Sequence, residues 1–355
     1  MATVKNRRIL LARRPEGEPS EADFALSEVQ LEDPQPGQML LRTLWLSLDP
    51  YMRGRMSDRK SYASPVGIGE VMVGGTVSEV VASNREGFIP GDIVEGRTGW
   101  QEYALSDGSG MRKVDPALGP ISTALGVLGM PGRTAYFGLL SVGQPKAGET
   151  VVVSAAAGAV GAIVGQIAKI KGCQVIGIAG AREKCEYVVN ELGFDSCISH
   201  YEPDLPRELE RVCPKGVDIY FENVGGKVFE AVLPLLNDFA RISVSGLIAH
   251  YNETQLPDGP NQVALLMRAI LSHRLTVRGF ISSDFADQQE LFLKDMSRWV
   301  REGRIKYRED IVEGLENAPR AFLKLFRGEN FGKLLVRVAK TTEGIAPKGR
   351  KDKFW

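Results

Sequence analysis

The stretch VVVSAAAGAVGAIVGQIAKIKG, Val151–Gly172, decides the fold. A β-branched run, Val151-Val152-Val153, reads as a buried strand. It runs into Ala155-Ala156-Ala157-Gly158-Ala159-Val160-Gly161, and a helical pattern follows at once over Ala159–Lys171. Small residues at such a turn let the backbone approach a pyrophosphate, and the free N–H groups of the helix N-terminus point at the anion. The spacing is AxxGxxG and lacks the first glycine of the usual GxGxxG, so the strand–turn–helix context carries the reading. No charge falls between Glu149 and Lys169. The change from strand to turn to helix halfway through nevertheless argues against a membrane span, which needs about 20 predominantly apolar residues in one helix.

The second strand, Gln174–Ala179, helps choose the dinucleotide. Folds that bind NAD place an acidic residue at its end for the ribose 2′-hydroxyl. Here the chain reads Gly180-Ala181-Arg182-Glu183-Lys184, so two cations stand where the carboxylate would be. That suits the extra 2′-phosphate of NADPH, with Glu183 expected to point away.

Outward from this core, strands and helices alternate: a helix Arg182–Leu192, a strand Val217–Glu222, a helix Lys227–Leu236, a strand Phe239–Ser245, a helix near Gln262–Ser272 and a strand Leu275–Ile281. Alternation at this length implies βαβ units and a parallel sheet covered on both faces. The first 125 or so residues read differently. Short segments at Arg8–Ala12, Gln38–Leu46, Glu70–Val81, Asp92–Glu95 and Gln101–Leu105 are broken by Gly and Pro turns, which reads as a β-barrel or sandwich. A helix Gln288–Gly303, a helix near Ala318–Phe326 and a returning strand Lys333–Val338 follow, and 341–355 reads as a polar, disordered tail.

Composition narrows the class. In 355 residues, hydrophobic types make up 43% and charged types 25%, which excludes a disordered chain and a coiled coil. Lys plus Arg equals Asp plus Glu at 44 each, so the chain lacks the basic excess by which proteins grip nucleic acid or an anionic membrane. The N-terminal run Ile9-Leu10-Leu11 is too short for a secretory signal and reads as part of a first strand. Four cysteines (Cys173, Cys185, Cys197, Cys213) without any CxxC read as free thiols in a reducing cytoplasm. Residues 1–172 hold no Cys and no His, so the ligands of a catalytic zinc are missing from the sequence there. The natural hydride acceptor is then an activated one, such as a conjugated C=C–C=O.

Several runs together carry a resemblance: LSLDPYMRGRM (Leu46–Met56), VGGTVSEVV (Val73–Val81), LGMPGRTAYFGLL (Leu128–Leu140), YFENVGGKVFEAVLPLLN (Tyr220–Asn237) and LENAPRAFLKLFRGENFGK (Leu315–Lys333), besides the phosphate turn. Over residues 5–339 the chain resembles the zinc-independent medium-chain dehydrogenase/reductases. Within them it is similar to the leukotriene B4 dehydrogenase/prostaglandin reductase branch, with its curcumin and alkenal double-bond reductases. The resemblance implies a GroES-like barrel from residues 1–127 and 305–340, with a Rossmann NADPH-binding domain of residues 128–304 inserted into it. It also implies a homodimer joined through the Rossmann sheet. The expected cofactor contacts are Gly158, Ala159, Val160 and Gly161 at the pyrophosphate, Lys184 at the 2′-phosphate, and Asn223. With them go the loop from Ser245 and Gly246 to Tyr251, the neighbouring Phe280, Ile281 and Ser282, and Asn330. A family tyrosine falls on His200, next to Tyr201, and the resemblance leaves open which of the two serves.

The implied reaction is NADPH-dependent saturation of an α,β-unsaturated ketone or aldehyde. A donor is needed where negative charge develops on the carbonyl oxygen. Tyr51, Tyr62 and Tyr251 are the candidates, and Tyr62 is favoured as proton donor or carbonyl clamp. Plain alternatives stand beside each: packing under the barrel rim for Tyr51, an exposed loop aromatic for Tyr62, and a pocket wall for Tyr251. Arg53 and Arg55 read as solvated or salt-bridged structural residues, and His250 as a loop residue. A quinone reductase-like enzyme and a non-catalytic NADPH-binding regulator are the competing readings.

Overall fold

The computed structural model describes residues 3–254 and 263–340. Gln262, the part of the loop Tyr251–Asn261 beyond 254, and the tail 341–355 lie outside the described residues.

The strand-rich first part contains β1 (Val4–Leu11), β2 (Phe24–Leu31), β3 (Met39–Ser47), β4 (Thr76–Ser83), β5 (Ile93–Gly96), β6 (Tyr103–Ser106) and β7 (Arg112–Lys113). The alternating part contains β8 (Thr150–Ser154), β9 (Gln174–Ala179), β10 (Ser196–Ser199), β11 (Val217–Glu222), β12 (Leu236–Val244) and β13 (Thr276–Gly279); β14 (Glu309–Glu313) and β15 (Lys333–Arg337) follow.

Strands β8 to β13 form one parallel sheet in the order β10-β9-β8-β11-β12-β13. Helix connections bury both faces of such a sheet, so its central strands must be apolar throughout. Val151, Val152 and Val153 of β8 and Ile219, Tyr220 and Phe221 of β11 are fully buried. The helix Gly161–Ile170 packs on one face through Ile163, Val164 and Ile167, while Leu205 and Leu209 of the helix Leu205–Val212 cover the other. A Cβ at Gly165 would fall 1.9 Å from the Phe194 ring, so only glycine lets that helix approach so closely. The winding direction reverses between β8 and β11. Ligands of doubly wound sheets bind at that switch point, beyond the carboxyl ends of the strands.

The second sheet is the barrel. Its order is β14-β15-β3-β4-β5-β7, with β6 also on β3. The long β3 pairs with β6 through Met39–Arg42 and with β15 through Trp45–Ser47 on one side, and with β4 on the other. The chain thus returns after the parallel sheet to complete the barrel, as the reading of Lys333–Val338 anticipates. The hairpin β1–β2 lies alongside, and Phe24 stacks on Trp100 at 5.4 Å, with Phe322 of the helix Ala318–Arg327 edge-on to both rings.

Several expected boundaries move. Glu70–Val81 is not one strand: β4 starts at Thr76, after Gly74 and Gly75. A Cβ at Gly74 would meet Leu46 at 2.7 Å and Trp100 at 3.0 Å, so the chain there is fixed by packing. The helix expected to Leu236 ends at Val232, and Leu236 already belongs to β12, because the Pro234 turn breaks the pattern. The helix after the phosphate turn begins at Gly161, two residues later than read. Strands β2, β7, β10 and β14 and the helix Leu205–Val212 were not anticipated. Among the described residues no helix is long and apolar enough to cross a membrane.

Candidate active site

The turn after β8 is built to expose backbone. Ala155 has φ +51°, the left-handed conformation that glycine adopts without cost. Because alanine carries a Cβ, that conformation costs the chain about 1–2 kcal/mol. Gly158 N donates to the Ala155 carbonyl at 2.9 Å, closing the turn. A Cβ at Gly161 would lie 2.4 Å from that same carbonyl, while one at Gly158 would stand off at 3.1 Å. With only methyl groups and glycine from 155 to 159, and a helix opening at Gly161, the turn fits a dinucleotide pyrophosphate.

At the edge of the site, Lys184 Nζ donates to the carbonyls of Gly328 and Asn330, at 2.6 Å each. Burial lowers its pKa, partly offset by the charges of Asp310 and Glu183. It contacts no carboxylate among the described residues, which leaves its charge available to a phosphate. Arg182, the second cation of the sequence reading, is instead 92% exposed and paired with Glu186, so it does not join Lys184. The His200 and Tyr201 rings lie 4.1 Å apart, tilted by 46°, beside Gly180, with burial and the nearby Lys184 depressing the imidazole pKa. Asn330 donates to the Gly332 carbonyl, and Gly332 bridges directly to Gly158. Segment 328–332 therefore lies across the turn.

The switch-point floor is a hydrogen-bonded net. Asn223 donates from its amide to the Ser154 carbonyl at 2.8 Å and from its backbone to Ser154 Oγ. Buried Glu222 accepts from Ser154 Oγ and Val224 N. Ser245 and Gly246 both donate to the Glu222 carbonyl. Phe280 is a core residue against Phe221 and Phe285, so its backbone rather than its ring borders the site; Ser282 is buried and Ile281 half-buried. His250 is no free base: Nε2 accepts from Gly226 N and Nδ1 contacts Glu253.

The three tyrosines come from separate segments. Tyr51 follows Asp49-Pro50 after β3, Tyr62 lies in the next loop, and Tyr251 ends a short turn after β12. Burial raises the pKa of all three, and Tyr51 and Tyr62, like Tyr62 and Tyr251, lie near enough to influence one another. Asp49 raises both Tyr51 and Tyr62, and Arg55 and Arg97 lower both. Tyr62 is 63% exposed. Tyr251 Oη accepts from Leu247 N at 3.3 Å. Two arginines bring the loops together. Arg53 donates to Asn252 Oδ1 at 3.1 Å, and Arg59 to the carbonyls of Glu253 and Thr254. Arg53 is buried on the Pro15 and Gly17 carbonyls, neither solvated nor salt-bridged as the sequence reading held. The roles of Arg59, Ser154 and Glu222 were not anticipated. ENVGG was a visible signal for Glu222, whereas nothing local marks Arg59.

Such a turn, at the switch point of a doubly wound sheet that a second, strand-rich sheet accompanies, fits a dinucleotide-dependent oxidoreductase. Residues 7–114 match the family described as the N-terminal domain of oxidoreductase, and 159–298 the one described as zinc-binding dehydrogenase. Among the described residues no group of three or more His, Cys, Asp and Glu side chains is placed to hold a metal. The chain is 55% identical to the NADPH-dependent curcumin reductase of Escherichia coli (strain K12), over 94% of this chain and 97% of that one. It is 40% identical to prostaglandin reductase 1 of Oryctolagus cuniculus, over 93% of each. The crystal structure of CurA in complex with NADPH from Vibrio vulnificus superposes with a TM-score of 0.91 at 55% identity, covering 94% of this chain and all of that one. The chain belongs to the zinc-independent medium-chain dehydrogenase/reductase family, in the branch of the curcumin and prostaglandin reductases.

Proposed function

We propose that the protein is an NADPH-dependent reductase of the C=C bond of α,β-unsaturated ketones and aldehydes. The observation that supports this is the glycine- and alanine-built turn after β8, in a chain whose Tyr51 and Tyr62, like Tyr62 and Tyr251, lie near enough to influence one another. NADPH, when bound, supplies hydride to the β-carbon. Gly158–Gly161 would hold its pyrophosphate, Lys184 its 2′-phosphate, and the Asn223, Ser245–Gly246 and Phe280–Ser282 backbone would border its nicotinamide end.

The chain's own residues then manage charge and a proton. A phenol donating to the carbonyl oxygen stabilises the enolate that forms as the β-carbon is saturated. Because burial raises the phenol pKa values, the tyrosines stay protonated and able to donate at neutral pH. Tyr62 is the assigned proton donor or clamp, with Tyr51 and Tyr251 shaping the pocket beside it. Steady-state turnover of NADPH against a panel of enones, alkenals and quinones, with NADH as control, tests the reading. Turnover of enones with NADPH supports it, and inertness toward all of them overturns it.

The chain acts as a homodimer in the cytoplasm in this reading. The edge strand β13 is exposed along its whole length, and the neighbouring helix Val263–His273 leaves Leu265, Met267 and Leu271 in the open, the last 81% exposed. A strand with one open edge beside apolar side chains is a surface that pairing with a second copy would cover. A sedimentation mass of one chain at micromolar concentration would contradict it.

A further inference from the structure

We propose that Lys333 and Asp49 are a positioning pair for this reduction: a buried strut that fixes Tyr51 relative to the phosphate turn. The inference rests on the function proposed above. Lys333 is 4% exposed, and Nζ places three bonds: to the Leu48 carbonyl at 2.8 Å, to Asp49 Oδ1 at 2.9 Å and to the Leu334 carbonyl at 3.1 Å. The other oxygen of Asp49 accepts from Ser47 Oγ. Both charges are thus fully partnered inside the barrel.

Stability alone does not account for the pair. Removing two charges from water costs several kcal/mol each, and apolar residues of similar volume commonly serve a fold as well or better. What an ion pair adds is direction. Its bonds clamp the end of β3 against β15, and Asp49 is followed by Pro50 and then by Tyr51. The Asp49 carbonyl accepts from Met52 N, and the Tyr51 carbonyl from Gly54 N, so the clamp runs straight into the turn that presents the phenol.

The opposite end of the strut reaches the cofactor turn. Gly332, adjacent to Lys333, forms the bridge with Gly158. Its φ is +84°, and a Cβ there would strike the Arg308 carbonyl at 2.3 Å, so the position requires glycine. Gly158, Gly332 and Lys333 line one crevice with Glu309, whose Oε2 accepts from Ser122. From phosphate turn to phenol, one connection therefore passes through Gly332, Lys333 and Asp49.

The test compares Lys333→Met/Asp49→Asn with wild type, alone and combined with Tyr51→Phe. If the pair acts through Tyr51, the double variant folds and binds NADPH within about twofold of wild type, yet loses about tenfold to 100-fold in kcat, the scale of a 1 Å misplacement. Tyr51→Phe then costs much less in that background than in wild type, since groups that act together are non-additive. Lys333→Arg keeps the charge with a different reach, and covers the case in which the double variant does not fold. It is expected to retain the melting temperature while losing several-fold in kcat. Wild-type kcat in either variant, or a Tyr51→Phe penalty that is additive with the double substitution, overturns the proposal. A wild-type enzyme inert to every enone would instead defeat the functional reading, and would do so before any variant is compared.

Discussion

The Lys184 ammonium lies 2.6 Å from the Asn330 carbonyl oxygen and at the same distance from that of Gly328. One side chain in the first turn of the helix Arg182–Asn190 thereby anchors the segment that crosses the phosphate turn. A hydrogen bond to a charged group contributes about 1.5–3 kcal/mol. Lys184→Met is therefore expected to weaken NADPH binding about 30-fold, near 2 kcal/mol, and to leave NADH within a few-fold. Titration calorimetry with both nucleotides checks this; an equal loss for the two would mean that Lys184 serves only to hold the segment.

Gly161 and Gly158 differ in how much room they leave. Gly161→Ala would force a Cβ to 2.4 Å from the Ala155 carbonyl, a clash with backbone, whereas Gly158→Ala asks for a shift of tenths of an ångström. Overpacking of the first kind costs about 1–3 kcal/mol. Gly161→Ala should lower the melting temperature by several degrees and abolish measurable NADPH binding. Gly158→Ala should bind within about tenfold of wild type. Indistinguishable titrations of the two variants would count against a fitted turn.

Tyr62→Phe removes one hydroxyl and leaves the ring. General acid catalysis is worth about 100- to 10,000-fold. A fall of about 100-fold in kcat, with the KM for NADPH unchanged, is expected in single-turnover and steady-state assays. If Tyr51→Phe or Tyr251→Phe shows the larger loss, the donor is that residue.

The pH profile follows from the direction of the phenol shifts. Tyr51, Tyr62 and Tyr251 are all raised above the ordinary value of 10, with burial as the leading cause. A raised pKa keeps the donor form present at higher pH, so kcat should stay level through pH 9 and decline only above about 10. The same shift makes the folded state hold its protons where the unfolded chain has released them, so stability falls as pH rises past the unfolded value. An alkaline limb in kcat near neutrality would assign the proton to another group.

The core of this fold was legible because it rests on local patterns. Val151–Val153 followed by small residues and a helix forecast both β8 and its turn, and the ENVGG run marked the end of β11. The helix Leu205–Val212 was legible in principle: Asp204 caps it, accepting from Arg207 N, and Leu205 and Leu209 sit one turn apart, but its charged residues masked the pattern. Strands β10 and β14 escaped because an edge strand of four or five residues with polar positions lacks a period long enough to read. At the site, the residues proposed to meet the cofactor through backbone could be named from motifs. The bonds from Arg59 to residues 253 and 254, and from Lys333 to Asp49, span almost two hundred and nearly three hundred positions, and only the tertiary fold brings them together.

The central claim is that the C=C bond, not the carbonyl, is reduced. The most direct measurement is the identity of the product formed from a simple conjugated enone and NADPH, by mass and proton NMR. This account predicts the saturated ketone, two hydrogens heavier and with its carbonyl intact, formed in step with NADPH consumed. An allylic alcohol of the same mass, or substrate returned unchanged, would contradict it.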